Sequence, residues 1–82
     1  MLTKYIQAAM ARAKYEILAE DGTFYGHIPE LSGVWANEPT LETCRAELES
    51  ALEDWLLFGL HHSLPIPVLE TIDLNQPQEE LA

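Results

Sequence analysis

A stripe of apolar residues at helical spacing runs through residues 41–59. Its members are Leu41, Cys44, Leu48, Ala51, Leu52, Trp55, Leu56 and Gly59. Thr40 is a favoured N-cap immediately before this stripe, and Pro65 and Pro67 end the helix near His62-Ser63. A helix with one apolar face is stable mainly through the packing of that face. The rest of this 82-residue chain must therefore supply a matching apolar surface.

Residues 15–28 show the period-two alternation of a strand pair. Asp21-Gly22 predicts a two-residue type I′ turn, in which both residues adopt positive φ. Because facing residues share a side of the sheet, this turn predicts one apolar face. That face comprises Tyr15, Ile17, Ala19, Phe24, Gly26 and Ile28. We expect the long helix to lie across it.

The opposite face of the predicted hairpin is mixed in character. The same register places Glu16 opposite His27, as a pH-sensitive pair or an ordinary cross-strand contact, and Leu18 opposite Tyr25. Exposed aromatic residues on a sheet commonly mark an interface. The candidate interface therefore comprises Glu16, Leu18, Tyr25, His27 and Trp35. Whether it binds a second copy or a different protein stays open.

Shorter elements complete the predicted fold. Pro29 lacks an N–H and Gly33 marks a turn, so a third strand is expected at 34–36. Residues 2–13 have the spacing of a short amphipathic helix, and residues 68–74 form a possible edge strand.

Together these elements predict an α+β fold in the order α-β-β-β-α-β. A three-stranded antiparallel meander is covered by one long helix, with a short N-terminal helix and a possible C-terminal edge strand. Residues 1–74 are expected to form a single domain, and residues 75–82 a disordered acidic tail.

The charge balance is strongly acidic, with 14 Asp and Glu residues, 4 Lys and Arg residues and a net charge of −10. Such a chain repels phosphate backbones, so direct binding to nucleic acid is not expected. Long-range attraction instead favours a basic protein partner. The alternative is that the acidity only keeps the protein in solution.

Reactive side chains form no recognisable catalytic or metal-binding motif. Cys44 is the one cysteine, and the helical stripe places it inward, where a thiol is usually inert. His61 and His62 are adjacent on a helix and point about 100° apart, which does not suit chelation from one face. We expect a non-enzymatic protein with no catalytic residues, cofactor or metal.

The chain has no predicted membrane span or signal peptide. Its longest uncharged stretch, residues 55–69, is interrupted by Gly59, Pro65 and Pro67. The apolar run at the start of the chain is too short for a signal peptide. A cytoplasmic protein with no membrane partner is expected.

A series of motifs in this chain resembles the HicB family of type II toxin–antitoxin antitoxins. The motifs are Tyr15, the run DGTFYGHIPELSG at 21–33, Thr40-Leu41-Glu42, Trp55 and Ile66-Pro67. The likeness covers roughly residues 15–68. Its most specific part is the Ile-Pro-Glu-Leu-Ser-Gly run between a glycine-containing hairpin and a Thr-capped helix.

This chain departs from the family pattern in three places. Glu38-Pro39 stands where a Gly and an acid often precede the capping Thr, and Thr43-Cys44 where an acid and an Ala commonly follow it. Both changes fit a helix start. Many members continue into a DNA-binding domain, whereas about a dozen residues follow Glu70 here. Operator binding by these residues is therefore not expected.

The resemblance implies a partial ribonuclease H-like fold that self-associates, as a dimer or tetramer, and neutralises a small basic HicA-type mRNA-cleaving toxin. One alternative is a stand-alone oligomeric domain without toxin or DNA partner. Another is a metal-dependent ribonuclease H-like hydrolase, which mutation of Glu16, Asp21 or His27 would test. The last turns of the long helix are apolar on nearly all sides, so we expect them to meet another element or another subunit.

Overall fold

The computed structural model describes residues 2–74 and confirms the predicted α+β order. A short helix precedes three strands, and a long helix follows them. The elements are α1 (Leu2–Ala11), β1 (Lys14–Ile17), β2 (Phe24–Ile28), β3 (Leu31–Glu38) and α2 (Leu41–His61). The strands form one antiparallel sheet in the order β1-β2-β3. The expected acidic tail at 75–82 lies outside the described residues.

The turn between β1 and β2 differs from the predicted two-residue turn. Residues 19–22 form the loop, which the Leu18 N–H closes by donating to the Thr23 carbonyl oxygen at 2.8 Å. The Asp21 carboxylate accepts the Thr23 N–H at 3.0 Å. A two-residue turn at Asp21-Gly22 would have needed that same N–H for its own closing backbone hydrogen bond. At this dipeptide only Gly22 has positive φ, at 72°. The predicted type I′ turn is therefore wrong.

The pairing of β1 with β2 is displaced by two residues from the predicted register. Glu16 pairs with Tyr25, and Ile17 pairs with Phe24. An even displacement keeps each residue on its predicted side of the sheet, because side chains alternate with a period of two. The helix-facing side is correct in outline, although Ile17 is 65% exposed and Phe24 only partly buried.

The third strand is longer than predicted and begins at Leu31. Ile28 pairs directly with Leu31, so the connection is only Pro29-Glu30, and the register shifts between His27 and Ile28. Pro29 lies in the connection, where no ladder N–H is required. Gly33 lies within the strand, contrary to the expected turn, and the Trp55 ring packs over it: a Cβ there would be 3.0 Å from Trp55 Nε1.

Helix α2 packs across β2 and β3 and buries its predicted stripe against the sheet. Four side chains of this stripe are fully buried, namely Cys44, Leu48, Leu52 and Leu56. Leu41, at the start of the stripe, remains exposed. Burial of each leucine contributes about 1.5–3 kcal/mol relative to exposure. This packing is the main stabilising contact of the fold.

Both ends of α2 are capped, and the N-cap is the Thr40 that the sequence predicts. The Thr40 side chain accepts the Thr43 N–H at 3.1 Å, and the Thr43 hydroxyl accepts the Thr40 N–H at 3.3 Å. At the other end the Leu64 N–H donates to the Gly59 carbonyl oxygen at 2.8 Å, and Ser63 has φ 56°. This is a Schellman-type ending.

The predicted C-terminal edge strand is not formed in the described chain. Within residues 68–74, Leu69 and Ile72 instead make an isolated antiparallel bridge. Glu70 and Thr71 between them have positive φ, at 48° and 67°. The chain therefore turns back on itself before it can extend along the sheet.

Contacts from α1 and from Arg12, the residue after α1, hold this C-terminal segment in place. Tyr5, whose pKa is raised by burial, donates a hydrogen bond from its hydroxyl to the Pro67 carbonyl oxygen. The Arg12 guanidinium lies 3.1 Å from the Glu30 carboxylate and 3.6 Å from the Glu70 carboxylate. These two ion pairs join the β2–β3 connection to the turn at Glu70-Thr71.

Candidate partner-binding site

The face of the sheet that points away from α2 is the best candidate for a binding surface. Two cross-strand rows form it: Lys14–His27–Trp35 and Glu16–Tyr25–Asn37. In these rows the residues on the two outer strands are exposed, and those on β2 are half-buried. No described element of residues 2–74 covers this surface, which we call the open sheet face.

Three aromatic rings stack at the centre of the open sheet face. The Tyr25 ring centroid lies 5.5 Å from that of His27 and 6.3 Å from that of Trp35, and both ring pairs are 26° from parallel. Trp35 is nevertheless 56% exposed. The Tyr25 and Trp35 rings are rigid and largely apolar, and each has one polar atom at its edge. These properties are typical of residues that dominate the binding energy of protein interfaces.

A chain of hydrogen bonds fixes the hairpin end of this face. Asn37 Nδ2 donates to Thr23 Oγ1 and to the Phe24 carbonyl oxygen, both at 2.8 Å. Thr23 Oγ1 donates in turn to Asp21 Oδ1 at 2.7 Å. The Thr23 side-chain bond and then its backbone bond lower the pKa of Asp21, because both stabilise the carboxylate. The hairpin loop is thereby tied to β3.

The structure brings together most of the predicted interface residues. Glu16, Tyr25, His27 and Trp35 lie on the open sheet face. Leu18 lies at its margin, one residue after β1, where it is half-buried.

Two of the predicted cross-strand contacts are wrong. Tyr25 faces Glu16 instead of Leu18, and His27 faces Lys14 instead of Glu16. Both errors follow from the four-residue loop, which displaces the register. The expected Glu16–His27 pair is therefore not a directly opposed pair.

Sequence reasoning missed two residues of this face, Lys14 and Asn37. Both lie at alternate positions from residues that it did identify, because Lys14 is two residues before Glu16 and Asn37 two residues after Trp35. Extending the strand alternation by one step on each side would have found them.

Cys44 lies on the other side of the sheet from His27. Its thiol is fully buried and points at the carbonyl oxygens of Phe24, at 3.5 Å, and Ala36, at 3.6 Å. Burial raises the pKa of Cys44, so the thiolate is disfavoured.

The remaining histidines lie at the end of α2. Their rings meet edge to face with centroids 5.0 Å apart, and His62 also contacts Phe58 at 4.3 Å. In residues 2–74, no three His, Cys, Asp or Glu side chains are grouped so that they could hold a metal ion. No helix in that range is long and apolar enough to cross a bilayer.

Comparisons with known proteins give a family and a structural relative. The profile of a family described as UPF0150-like matches residues 4–67. The crystal structure of TTHA0281 from Thermus thermophilus is similar at 47% sequence identity and a TM-score of 0.84, over 94% of this chain and 95% of that one. The comparison with curated proteins gives no significant match.

Proposed function

We propose that this chain, which belongs to the UPF0150-like family, is an antitoxin-like protein that binds and neutralises a small basic mRNA-cleaving toxin of the HicA type. The family itself falls within the HicB and antitoxin-like superfamily. The observation that carries the proposal is the uncovered aromatic stack on the open sheet face of a protein with a net charge of −10. The proposed role is cytoplasmic and requires no catalytic step.

Electrostatics support a basic partner. A toxin that cleaves mRNA must hold a phosphate backbone, so its active surface is rich in Lys and Arg. An acidic protein attracts that same surface over long distances and competes with RNA for it. Glu16 provides a carboxylate on the open sheet face itself, and Glu20 and Asp21 provide two more in the adjoining loop.

The aromatic stack supports short-range binding of the same partner. The faces of Trp and Tyr rings attract Lys and Arg side chains, by about 0.5–1 kcal/mol at exposed sites and more when the pair is desolvated. Trp35 and Tyr25 therefore offer basic side chains a surface that is both apolar and favourable to cations. In this proposal the bound antitoxin neutralises the toxin by covering its RNA-binding surface.

The test is co-expression with the open reading frame beside this chain's gene, which the proposal expects to encode a small basic protein, followed by co-purification and measurement of Kd. Trp35→Ala is expected to weaken the complex by about tenfold or more, as for a central interface aromatic. Glu16→Gln and Glu47→Gln are a matched pair, because each removes one exposed carboxylate, the first from the open sheet face and the second from α2. Both reduce long-range attraction equally, so only Glu16→Gln should also raise the dissociation rate.

Loss of toxin cleavage activity on addition of the wild-type chain is expected in the same preparation. If no complex forms at low salt, the antitoxin proposal is wrong and the stand-alone oligomeric domain replaces it. If Trp35→Ala binds as tightly as the wild type, the toxin does not dock on the open sheet face.

A further inference from the structure

We infer that the basic partner adds an extended segment of its own chain as a fourth strand along the outer edge of β3, beside the open sheet face. This inference rests on the proposed function and specifies how the partner binds. The strand order β1-β2-β3 places β3 at an edge of the sheet. No strand of residues 2–74 pairs with its outer side.

The hydrogen-bonding pattern of β2 determines which of its residues bond to β3. Antiparallel pairs alternate between those that exchange backbone hydrogen bonds and those that do not. The Leu18 N–H donates to the Thr23 carbonyl oxygen at 2.8 Å, and the pairing of β1 with β2 continues in step from this bond. By alternation, Tyr25 directs its N–H and carbonyl groups to β1, and Gly26 directs its own to β3.

Trp35 and Asn37 consequently present their backbone groups at the outer edge of β3. Gly26 pairs with Ala36, so Ala36 bonds inward and the residues on either side of it point outward. Trp35 and Asn37 are both exposed, and each offers a backbone N–H and a carbonyl group. An unpaired edge of this kind is a template for an added strand.

The opposite edge of the sheet is less suited to receive a strand. β1 has only four residues, whereas β3 has eight. β1 begins with Lys14, and a lysine on an edge strand opposes pairing with another chain. β3 contains no Lys, Arg or Pro, and its register irregularity ends before Trp35. The edge of β3 is therefore the one that an added strand would select.

Tryptophan rings flank this edge on both sides of the sheet. Trp35 lies on the open sheet face and is 56% exposed. On the helix side, the half-exposed Trp55 ring packs over Gly33 of β3. The side chains of a strand alternate between the two sides of its sheet. An added strand would therefore find an aromatic ring beside it on each side.

Charge identifies the added strand as basic. Glu38 is the only charged residue of β3. Asp21 lies at the same end of this strand, because Asn37 donates to Thr23 and Thr23 donates to Asp21. The two carboxylates and the exposed ring faces all attract Lys and Arg side chains. A second copy of this chain, with its net charge of −10, would be repelled instead.

The experiment measures amide hydrogen exchange by NMR in the isotope-labelled full chain. The chain is compared alone and in the co-purified complex with the product of the adjacent open reading frame. The Trp35 and Asn37 amides are expected to exchange about tenfold or more slowly in the complex, because they donate to the added strand. Tyr15 and Ile17 occupy the corresponding outward positions of β1, and their amides are matched controls that should not change.

Asn37→Pro and Asn37→Ala test the same edge by a second measurement. Both variants lose the side-chain hydrogen bonds to Thr23 and Phe24, but only Asn37→Pro also loses the outward N–H. Asn37→Pro is expected to raise Kd for the partner by about tenfold relative to Asn37→Ala, because one hydrogen bond is lost and the proline ring obstructs the edge. Circular dichroism checks that both variants are folded.

The possible outcomes separate this inference from the antitoxin proposal. A complex in which the Trp35 and Asn37 amides exchange as fast as in the isolated chain overturns the inference and leaves the antitoxin proposal standing. Slowing at Tyr15 and Ile17 alone assigns the added strand to β1, which also overturns it.

Two further results would count against the edge of β3. Slow exchange of the Trp35 and Asn37 amides in the isolated chain assigns this edge to a second copy and overturns the inference, as do equal Kd values for Asn37→Pro and Asn37→Ala. If no complex forms at all, the antitoxin proposal is wrong and the inference is wrong with it.

Discussion

Gly26 is the residue at which three elements of the fold come together. It lies on β2 beneath Cys44 of α2 and beside Tyr15 of β1. A Cβ at this position would lie 2.9 Å from the Tyr15 ring and 3.1 Å from Cys44 Sγ. Only a residue without a side chain lets the helix and the ring approach the strand this closely.

Gly26→Ala is therefore expected to reduce the free energy of unfolding by about 1–3 kcal/mol, the usual cost of overpacking a core. Urea unfolding followed by circular dichroism measures the change. Gly33→Ala is the matched control, since its Cβ would meet the half-exposed Trp55 ring at 3.0 Å, which can move toward solvent. Equal losses in the two variants would show that the close approach at Gly26 is not a packing constraint.

At the scale of elements, the parts that could be predicted from sequence are those with local signals. The bounds of α2 follow from the Thr40 cap and from the prolines after Ser63, and both ends are where these signals predict them. The side of the sheet that each residue faces follows from the period-two alternation. This assignment stays correct although the predicted turn is wrong, because the register is displaced by an even number of residues. Four of the five predicted interface residues therefore share one face.

Elements whose limits depend on tertiary contacts could not be predicted in this way. The β1–β2 register depends on the Asp21–Thr23 hydrogen bond, which competes with the turn that Asp-Gly favours. Gly33 resembles a turn residue in sequence, but it is part of β3 beneath the Trp55 ring. The segment at 68–74 turns at Glu70-Thr71 although neither residue type favours positive φ.

The ending of α2 carries a residue that is poorly suited to its backbone conformation. Ser63 has φ 56°, in the left-handed region that glycine adopts without steric cost. Ser63→Gly is expected to raise the free energy of unfolding by about 0.5–1 kcal/mol, as measured by urea denaturation.

Ser50→Gly provides the matched control for this prediction. The same change at this exposed position inside α2 is expected to lower stability by about 0.5 kcal/mol, because glycine is a poorer helix former than serine. A stability loss at both positions would contradict the proposed role of the left-handed conformation at Ser63.

At the scale of the whole molecule, the proposed toxin complex and the self-association that the family resemblance implies differ in their electrostatics. The toxin complex joins an acidic protein to a basic one, and a dimer of this chain joins two chains of net charge −10. Salt screens both interactions, because the Debye length is about 10 Å at 0.1 M and about 3 Å at 1 M. Screening therefore weakens the attraction between this chain and a basic toxin, and it weakens the repulsion between two copies of this chain.

The two equilibria of the wild-type chain are therefore expected to respond to salt in opposite directions. Between low and high salt, Kd for the basic partner should rise by roughly tenfold, with most of the change in the association rate. Kd for the dimer should fall over the same range, because salt weakens the repulsion between two chains of net charge −10. Titration calorimetry measures the first constant and sedimentation equilibrium the second. A dimer that weakens with salt would instead be held together by ion pairs, and its interface would then lie outside residues 55–69, which contain no Asp, Glu, Lys or Arg.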